Sequence, residues 1–122
     1  MSPEAAPRLA DYLRHMSEAV RMARTHVDGM VKDSFFKDIR TQQAVVLNIV
    51  IIGEAATKII QHHPQFVAAH PEIPWQSMRG MRNKMAHGYF DIDLAVVWET
   101  VQRSLPELLA KLDVLQADEF AN

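Results

Sequence analysis

The chain has 122 residues, which suits one domain with a hydrophobic core and is too short for two ordinary domains, so we expect a single domain over residues 1–122. Charged residues make up 23% of the chain and apolar residues (AVILMFWYC) 48%, a balance that excludes disordered and collagen-like proteins. The formal net charge of -2 excludes a polybasic protein that holds nucleic acid by its overall charge, so any such contact must be confined to a patch.

The cysteine content, the N-terminal residues and the most apolar segment bear on the cellular compartment of the protein. The chain contains no cysteine, so disulfides, thiolate metal ligands and thiol nucleophiles are excluded, and a reducing cytoplasm fits. The N-terminal residues MSPEAAP lack a basic region followed by an apolar core, which argues against a secretory signal. Glu54 and Lys58 interrupt the most apolar segment, which argues against a membrane span. We therefore expect a cytoplasmic protein without a membrane segment.

The first predicted element is an amphipathic helix. Asp28 and Gly29 follow its last apolar residue directly and are expected to stop it. Its apolar residues recur at alternating spacings of four and three, which is the pattern of one buried helical face. They are Leu9, Leu13, Met16, Val20, Ala23 and Val27.

The second predicted helix begins after Asp33 and Ser34, either of which can cap it, and continues to Ile60. Residues 44–52 are rich in β-branched side chains and also permit a strand. We favour a helix because the apolar run exceeds the length of a usual strand and its flanks have a helical pattern. A helix that is apolar on nearly every side lies at the centre of its own domain or is shared with a second subunit.

The third predicted helix is short and follows a loop. Pro64 ends the second helix, because the residue before a proline is pushed out of the helical region, and the loop runs to about Pro74. The third helix covers Trp75 to His87, with Pro74 near its first position and Gly88 at its end.

The fourth predicted helix starts near Asp91 or Asp93 and carries a leucine-rich stripe. Pro106 lies inside it and is expected to kink the helix or remove one backbone hydrogen bond. The tail from Gln116 is expected to fray. Together these elements predict an all-α fold, an antiparallel four-helix up-and-down bundle with a short additional helical segment.

The third helix carries the residues best suited to chemistry on a phosphodiester. Arg82 offers a planar, permanently charged group for a phosphate, and His87 can exchange protons near neutral pH. Residues 73–90 contain no Asp or Glu, so Arg79 and Lys84 add to a local positive charge and are candidate RNA contacts. No other segment combines these residue types.

A helical wheel separates these residues. Asn83 and His87 share one polar face, whereas Arg82 lies about 140° from His87, beside a buried face formed by methionines. These methionines are Met78, Met81 and Met85. Three arrangements reconcile Arg82 with His87: the arginine wraps around the helix, the helix distorts before Gly88, or two copies of the helix meet across a two-fold axis. We favour the homodimer, because the second and fourth helices carry more apolar surface than one small bundle hides.

The third helix carries Arg82-Asn83-x-x-x-His87 followed by Gly88-Tyr89; Ile-Pro-Trp precedes it at residues 73–75, and the second helix carries Ile-Gly-Glu-Ala at residues 52–55. This combination resembles that of HEPN-domain ribonucleases, and most closely that of the HepT toxins of prokaryotic toxin–antitoxin pairs. The resemblance covers most of the chain, from about Leu9 to Leu115.

The resemblance implies a homodimeric, metal-independent endoribonuclease that uses no cofactor and acts on RNA, either tRNA or mRNA. His87 would be the acid or base, Arg82 would stabilise the phosphate charge, and Asn83 would orient the imidazole or hold a phosphate oxygen. In relatives encoded beside a minimal nucleotidyltransferase, that antitoxin attaches AMP to the tyrosine at the position of Tyr89. AMPylation of Tyr89 would add bulk and negative charge beside the cationic cleft; simple masking by the partner is the other mode of neutralisation.

Other interpretations of the same residues are open. His87 alone also fits a cation at a helix C-terminus, and Tyr89 fits plain packing at a turn. Glu54 needs a partner if it is buried and is a candidate ion-pair residue for Arg79 or Arg82. Asp38 is either structural or part of the cleft. As a whole, the chain could instead be a catalytically silent HEPN module that binds a nucleotidyltransferase, or a dimeric helical adaptor.

Overall fold

The longest helix, α3 (Ile39–His62), is central and packs against α1 (Leu9–His26) and α5 (Trp75–His87). The structure, a computed structural model, describes residues 8–120 and the side chains of residues 8–118. No strand occurs among these residues, so the predicted all-α bundle is confirmed. The other elements are α2 (Lys32–Lys37), α4 (Pro64–Ala69), a 3-10 turn (Tyr89–Asp91), α6 (Leu94–Glu99), a π-helical segment (Thr100–Ser104) and α7 (Leu105–Phe120).

The core is formed mainly by one face each of α1, α3 and the continuous helix α6–α7. The predicted stripe of α1 is buried from Leu13 to Val27, and Gly29 stops this helix with a φ of 75°, a conformation that glycine adopts without strain. The largest side chains with almost no exposure come from α1, α2, α3, the fourth helix and the loop before α5. They include Leu13, Met16, Phe35, Ile52, Ile59, Ile73 and Leu112.

The apolar character of α3 exceeds our expectation. By length and composition this helix is a candidate membrane span, because an 18-residue window reaches a mean hydropathy of 1.6 despite Glu54 and Lys58. However, 56% of that window is buried inside the fold, which is typical of the core helix of a globular domain. Packing against α1 and α5 therefore explains most of its apolar residues.

A break at Asp38 separates α2 from α3, where we predicted one continuous helix. The Asp38 carboxylate accepts hydrogen bonds from the Thr41 backbone N–H at 3.0 Å and from the Thr41 hydroxyl at 2.8 Å. Asp38 is thus the N-cap of α3, and these bonds, the backbone one first, hold its pKa below the usual range. The prediction that Asp33 or Ser34 caps this helix was wrong, because α2 begins before them at Lys32.

The predicted loop before Pro74 was also partly wrong, because it contains α4. Pro64 ends α3 as expected, but it also occupies the first turn of α4, where the missing amide has no helical partner to lose. Proline at the start of a helix and proline after the end of one give the same sequence signal. Only the helical pattern of the next residues distinguishes them, and here it lasts six residues.

The fourth predicted helix runs from α6 through the π-helical segment to α7. The Asp93 carboxylate caps it, accepting from the backbone N–H groups of Ala95 at 2.9 Å and Val96 at 3.4 Å. The prediction that the chain frays from Gln116 was wrong for the described residues, because α7 continues to Phe120; residues 121 and 122 of the predicted tail lie outside them. The Ser17 hydroxyl of α1 donates to the Gln116 side-chain oxygen at 2.9 Å and ties this end of α7 to the bundle.

Candidate active site

Helix α5 has the bounds that the sequence predicted. At its start, Trp75 is buried, and its indole N–H donates to the His70 carbonyl at 2.9 Å. At its end, the Gly88 backbone N–H donates to the Lys84 carbonyl at 2.8 Å. The Trp75 bond therefore joins the start of α5 to the preceding loop, and the Gly88 bond closes its last turn.

Helix α5 has the buried methionine face and the exposed polar face that the helical wheel predicted. Met78 and Met85 are buried, and Met81 is half-buried, so the methionine face points into the fold. Asn83 and His87 are exposed on the opposite side. Among the hydrogen bonds of the described residues none joins Asn83 to His87, so the structure shows no contact through which Asn83 orients the imidazole.

Arg82 differs from its neighbours because it packs onto α3. Its side chain is only 20% exposed, and its Nη2 donates to the Thr57 hydroxyl at 3.1 Å. Its Nε lies 3.6 Å from Oε2 of Glu54, which is an ion-pair distance but too long for a good hydrogen bond. The expectation that Glu54 pairs with Arg79 or Arg82 is thus resolved in favour of Arg82.

The charge of Glu54 is also felt by Tyr12 of α1. Burial, and then the nearby Glu54 carboxylate, raise the pKa of Tyr12 above its usual value of 10.0. Glu54 is 51% exposed, so water screens part of its attraction for Arg82. The Glu54 carboxylate is therefore a half-exposed counter-ion at the edge of the site and not a buried charge.

Gly53 and Thr57 of α3 also contact Arg82, and the sequence analysis did not identify Thr57 as a site residue. An added Cβ on Gly53 would overlap Cβ of Arg82 and lie 2.6 Å from the Met78 carbonyl oxygen, so only glycine permits this approach of α5 to α3. Thr57 lies one turn after Gly53, on the side of α3 that faces α5. A polar residue one turn from a glycine in an otherwise apolar helix is the signal that could have revealed it.

The remaining predicted contacts surround the exposed face. Arg79 is half-buried and Lys84 exposed, both on α5. Tyr89 is 44% exposed on the 3-10 turn that follows His87, with its ring edge-on to Phe90 at 5.8 Å between centroids. Phe90 itself is 97% exposed. The rim of the site is therefore cationic on the helix and aromatic beyond it.

A cavity lies on the other side of α5 from Asn83 and His87. Its volume is about 350 Å³, and it opens between α5 and the fourth helix, with Met78, Met81 and Leu108 among its lining residues. Arg82, Asn83 and His87 do not line it. The structure thus brings Arg82 to α3 and leaves Asn83 and His87 on the surface, and one subunit does not enclose all three in a single cleft.

Comparison with known proteins identifies the family. The family described as Ribonuclease HepT-like matches residues 16–115, from α1 to α7 and through the whole of α5. The chain belongs to the HepT-like ribonuclease family, within the HEPN superfamily.

Two relatives match over nearly their full length. "Probable ribonuclease HepT" of Thermococcus cleftensis is 38% identical over 106 residues, which cover 87% of this chain and 94% of the relative. "Putative RNase TTE0752" of Caldanaerobacter subterraneus subsp. tengcongensis is 31% identical over 109 residues, covering 88% and 95% respectively. No solved structure gives a significant match.

Proposed function

We propose that this protein is a metal-independent endoribonuclease of the cytoplasm, the toxin of a toxin–antitoxin pair. Family membership and the ribonuclease names of its relatives support an RNase. The observation that carries the proposal is the division of α5, on which Arg82 is anchored to α3 while Asn83 and His87 face solvent. Residues 73–90 contain no carboxylate that would repel RNA.

RNA supplies its own nucleophile for this reaction. The 2′-oxygen attacks the adjacent phosphorus, its proton passes to an imidazole, and the bond from phosphorus to the 5′-oxygen breaks as that oxygen takes up a proton. The products are a 2′,3′-cyclic phosphate and a 5′-hydroxyl. His87 is the acid or base, Arg82 stabilises the charge on the phosphoryl oxygens, and Asn83 orients the imidazole or a phosphate oxygen. Arg79 and Lys84 contact flanking phosphates of the tRNA or mRNA substrate.

The active species is a homodimer in which Arg82 of one subunit and His87 of the other line one cleft. Two observations support it. Arg82 and His87 point in different directions within one subunit, so neither can complete the site alone. In addition, α3 exposes Leu47 (59%) and Ile51 (38%) on the face that also carries Glu54, within about 60° around the helix. A second copy covering this face would lie beside Arg82.

Tyr89 is the site of neutralisation by a minimal nucleotidyltransferase antitoxin. The phenol oxygen attacks the α-phosphate of ATP, pyrophosphate leaves, and the phenolic proton is lost to solvent or to a base of the partner. The exposure of Tyr89, two residues beyond His87, supports this role. The attached AMP adds negative charge at the cationic rim and blocks RNA.

The cleavage proposal is tested with purified protein, RNA and EDTA. We expect cyclic-phosphate products from the wild type and a loss of about a hundredfold or more in His87→Ala and Arg82→Ala. His26→Ala is the matched control, because His26 is also an exposed histidine in the last turn of a helix. Full cleavage by His87→Ala contradicts the proposal, and RNA-independent binding of the partner without any cleavage favours the silent HEPN module.

The neutralisation proposal is tested by co-expression with a minimal nucleotidyltransferase. We expect the mass of one AMP on the peptide that contains Tyr89 and none on the peptide that contains Tyr12, the only other tyrosine. Tyr89→Phe should remain toxic in the presence of the antitoxin. If Tyr89→Phe is neutralised as fully as the wild type, the antitoxin acts by masking and not by modification.

A further inference from the structure

Thr57 can act toward Arg82 in only one way. Its hydroxyl is buried and donates its single proton to the Gly53 carbonyl at 2.8 Å. The same oxygen must therefore accept the bond from Nη2 of Arg82, at 3.1 Å. Because Gly53 also seats the aliphatic stem of Arg82, the arginine is held at both its base and its tip.

Glu54 holds Arg82 less completely. The Arg82 Nε is shielded from solvent and has no hydrogen-bond partner among the described residues, although Oε2 of Glu54 lies 3.6 Å away. A buried N–H donor without an acceptor lowers the stability of the folded protein, unless another group accepts a hydrogen bond from it. A half-exposed carboxylate at this distance is easily displaced, and a phosphate oxygen offers the same charge with better geometry for an arginine.

We propose that Thr57 is a positioning residue for Arg82, and that Glu54 is a resident counter-ion that the substrate phosphodiester displaces. This inference rests on the proposed function and deepens it, because it assigns two residues separate roles toward Arg82. Thr57 fixes the guanidinium where charge develops in the transition state. Glu54 occupies the guanidinium until RNA arrives, so binding of RNA includes the release of an internal anion.

The role of Thr57 is tested with two substitutions. Thr57→Val keeps the shape of the side chain and removes the hydroxyl that accepts the Arg82 bond, whereas Thr57→Ser keeps that hydroxyl. In the cleavage assay with EDTA, we expect Thr57→Val to lower kcat by about tenfold with little change in KM, as the loss of one charge-assisted hydrogen bond predicts. Thr57→Ser should retain kcat within about threefold of the wild type. Thr25→Val is the matched control, because the Thr25 hydroxyl makes the same bond to a carbonyl four residues earlier, at 2.9 Å to Arg21, without holding an arginine.

A double substitution separates positioning from a purely structural role. In the Arg82→Ala background, Thr57→Val should cause no further loss of kcat, because Thr57 acts through Arg82. An additional tenfold loss, or a fall in thermal stability that accounts for the loss of activity, overturns the positioning role.

The Glu54 arm is tested by Glu54→Gln, with Glu18→Gln as a control for an exposed carboxylate that pairs with an arginine on α1. Binding is measured with an RNA that carries a 2′-deoxy group at the cleavage point. We expect Glu54→Gln to bind this RNA several-fold more tightly than the wild type does. Weaker binding, or a loss of kcat comparable to that of His87→Ala, overturns the counter-ion role.

The outcomes also distinguish the inference from the proposed function. If the wild type cleaves no RNA, the proposed function fails and this inference fails with it. If the wild type cleaves and Arg82→Ala is strongly impaired, but Thr57→Val and Glu54→Gln both behave like the wild type, only the inference fails.

Discussion

Gly53 of α3 lies directly against Arg82 of α5, and a Cβ at Gly53 would overlap the arginine's own Cβ. The contact sets the distance between the two helices at the point where the candidate catalytic arginine leaves α5. It also places Thr57, one turn further along α3, within hydrogen-bonding reach of the guanidinium. The position of Arg82 thus depends on the absence of a side chain on a different helix.

Gly53→Ala should therefore impair both folding and activity. The added methyl group forces α5 away from α3, and overpacking of this kind costs about 1–3 kcal/mol of unfolding free energy. Cleavage should fall more than stability explains, because Arg82 loses its alignment with Thr57. Thermal unfolding and RNA cleavage of the same preparations measure the two effects.

Gly80→Ala is the matched control on α5. An added Cβ at Gly80 meets nothing within 4 Å, and alanine favours the helix over glycine by about 0.5–1 kcal/mol. We expect a small gain in stability and unchanged cleavage. If both alanine variants behave alike, the close contact of Gly53 with Arg82 does not control the site.

The sequence predicted the parts of the fold that depend on local periodicity and punctuation. α5 has the bounds that Pro74 and Gly88 indicated, and α1 ends where Asp28 and Gly29 follow the apolar stripe. The break at Asp38 was missed, because its cause is a side chain that bonds back to Thr41 inside an otherwise helical pattern. A capping pair such as Asp38 and Thr41 does not change the spacing of the apolar residues around it, so that spacing does not reveal the break.

The candidate site was predictable only in part for a related reason. The wheel separated Arg82 from His87, since both lie on one helix and their angular relation is set by the helical repeat. The contact of Arg82 with Thr57 joins residues 25 positions apart, and its existence depends on how α5 docks on α3. Such docking is a tertiary property that spacing along the sequence does not encode.

Arg24 should stabilise the π-helical segment, because its side chain donates a hydrogen bond to the Val101 carbonyl, which receives none from Pro106. The Leu105 N–H bonds to the Thr100 carbonyl, five residues back, and the next donor in this register would be the missing N–H of Pro106. Nη1 of Arg24 instead donates to the Val101 carbonyl at 3.2 Å. Arg24→Met should therefore lower the free energy of unfolding by about 1–3 kcal/mol, measured by denaturant titration.

A double-mutant cycle checks this cause. Pro106→Ala restores the backbone donor, so the penalty of Arg24→Met should shrink by about 1 kcal/mol in that background. Equal penalties in both backgrounds would show that Arg24 acts only through its bond to the Gln102 side chain, at 3.1 Å.

Asp38 should make the stability of α3 depend on acid. Its native pKa lies below the usual value of 3.8, because the Thr41 backbone N–H and hydroxyl favour the ionised form. A lowered native pKa adds stability above 3.8 that disappears as the pH falls through the native value. Asp38→Ala should lower the Tm at neutral pH, and the difference from the wild type should narrow in acid. Asp28→Ala, at the opposite end of a helix, removes an exposed carboxylate that caps nothing and should show no such loss.

The exposed apolar residues of α3 should be needed for dimer formation. Leu47→Glu and Ile51→Glu place charge on the face next to Glu54, so burial of that face against a second copy becomes unfavourable. We expect both variants to be folded monomers without cleavage activity, as measured by sedimentation and by circular dichroism. Val114→Glu is the control, since Val114 is 63% exposed on α7 and should tolerate charge. Active monomers would contradict the proposed dimer.

Complementation between inactive subunits tests whether Arg82 and His87 of one site come from different chains. In a heterodimer of Arg82→Ala and His87→Ala subunits, one composite site loses both groups and the other keeps both. After unfolding and refolding of an equal mixture, half of the dimers carry one intact site, so we expect about a quarter of wild-type activity. If both groups acted within one subunit, every site would lack one of them and the mixture would stay inactive. The recovery of activity therefore reports directly on the angular separation of Arg82 and His87 along α5.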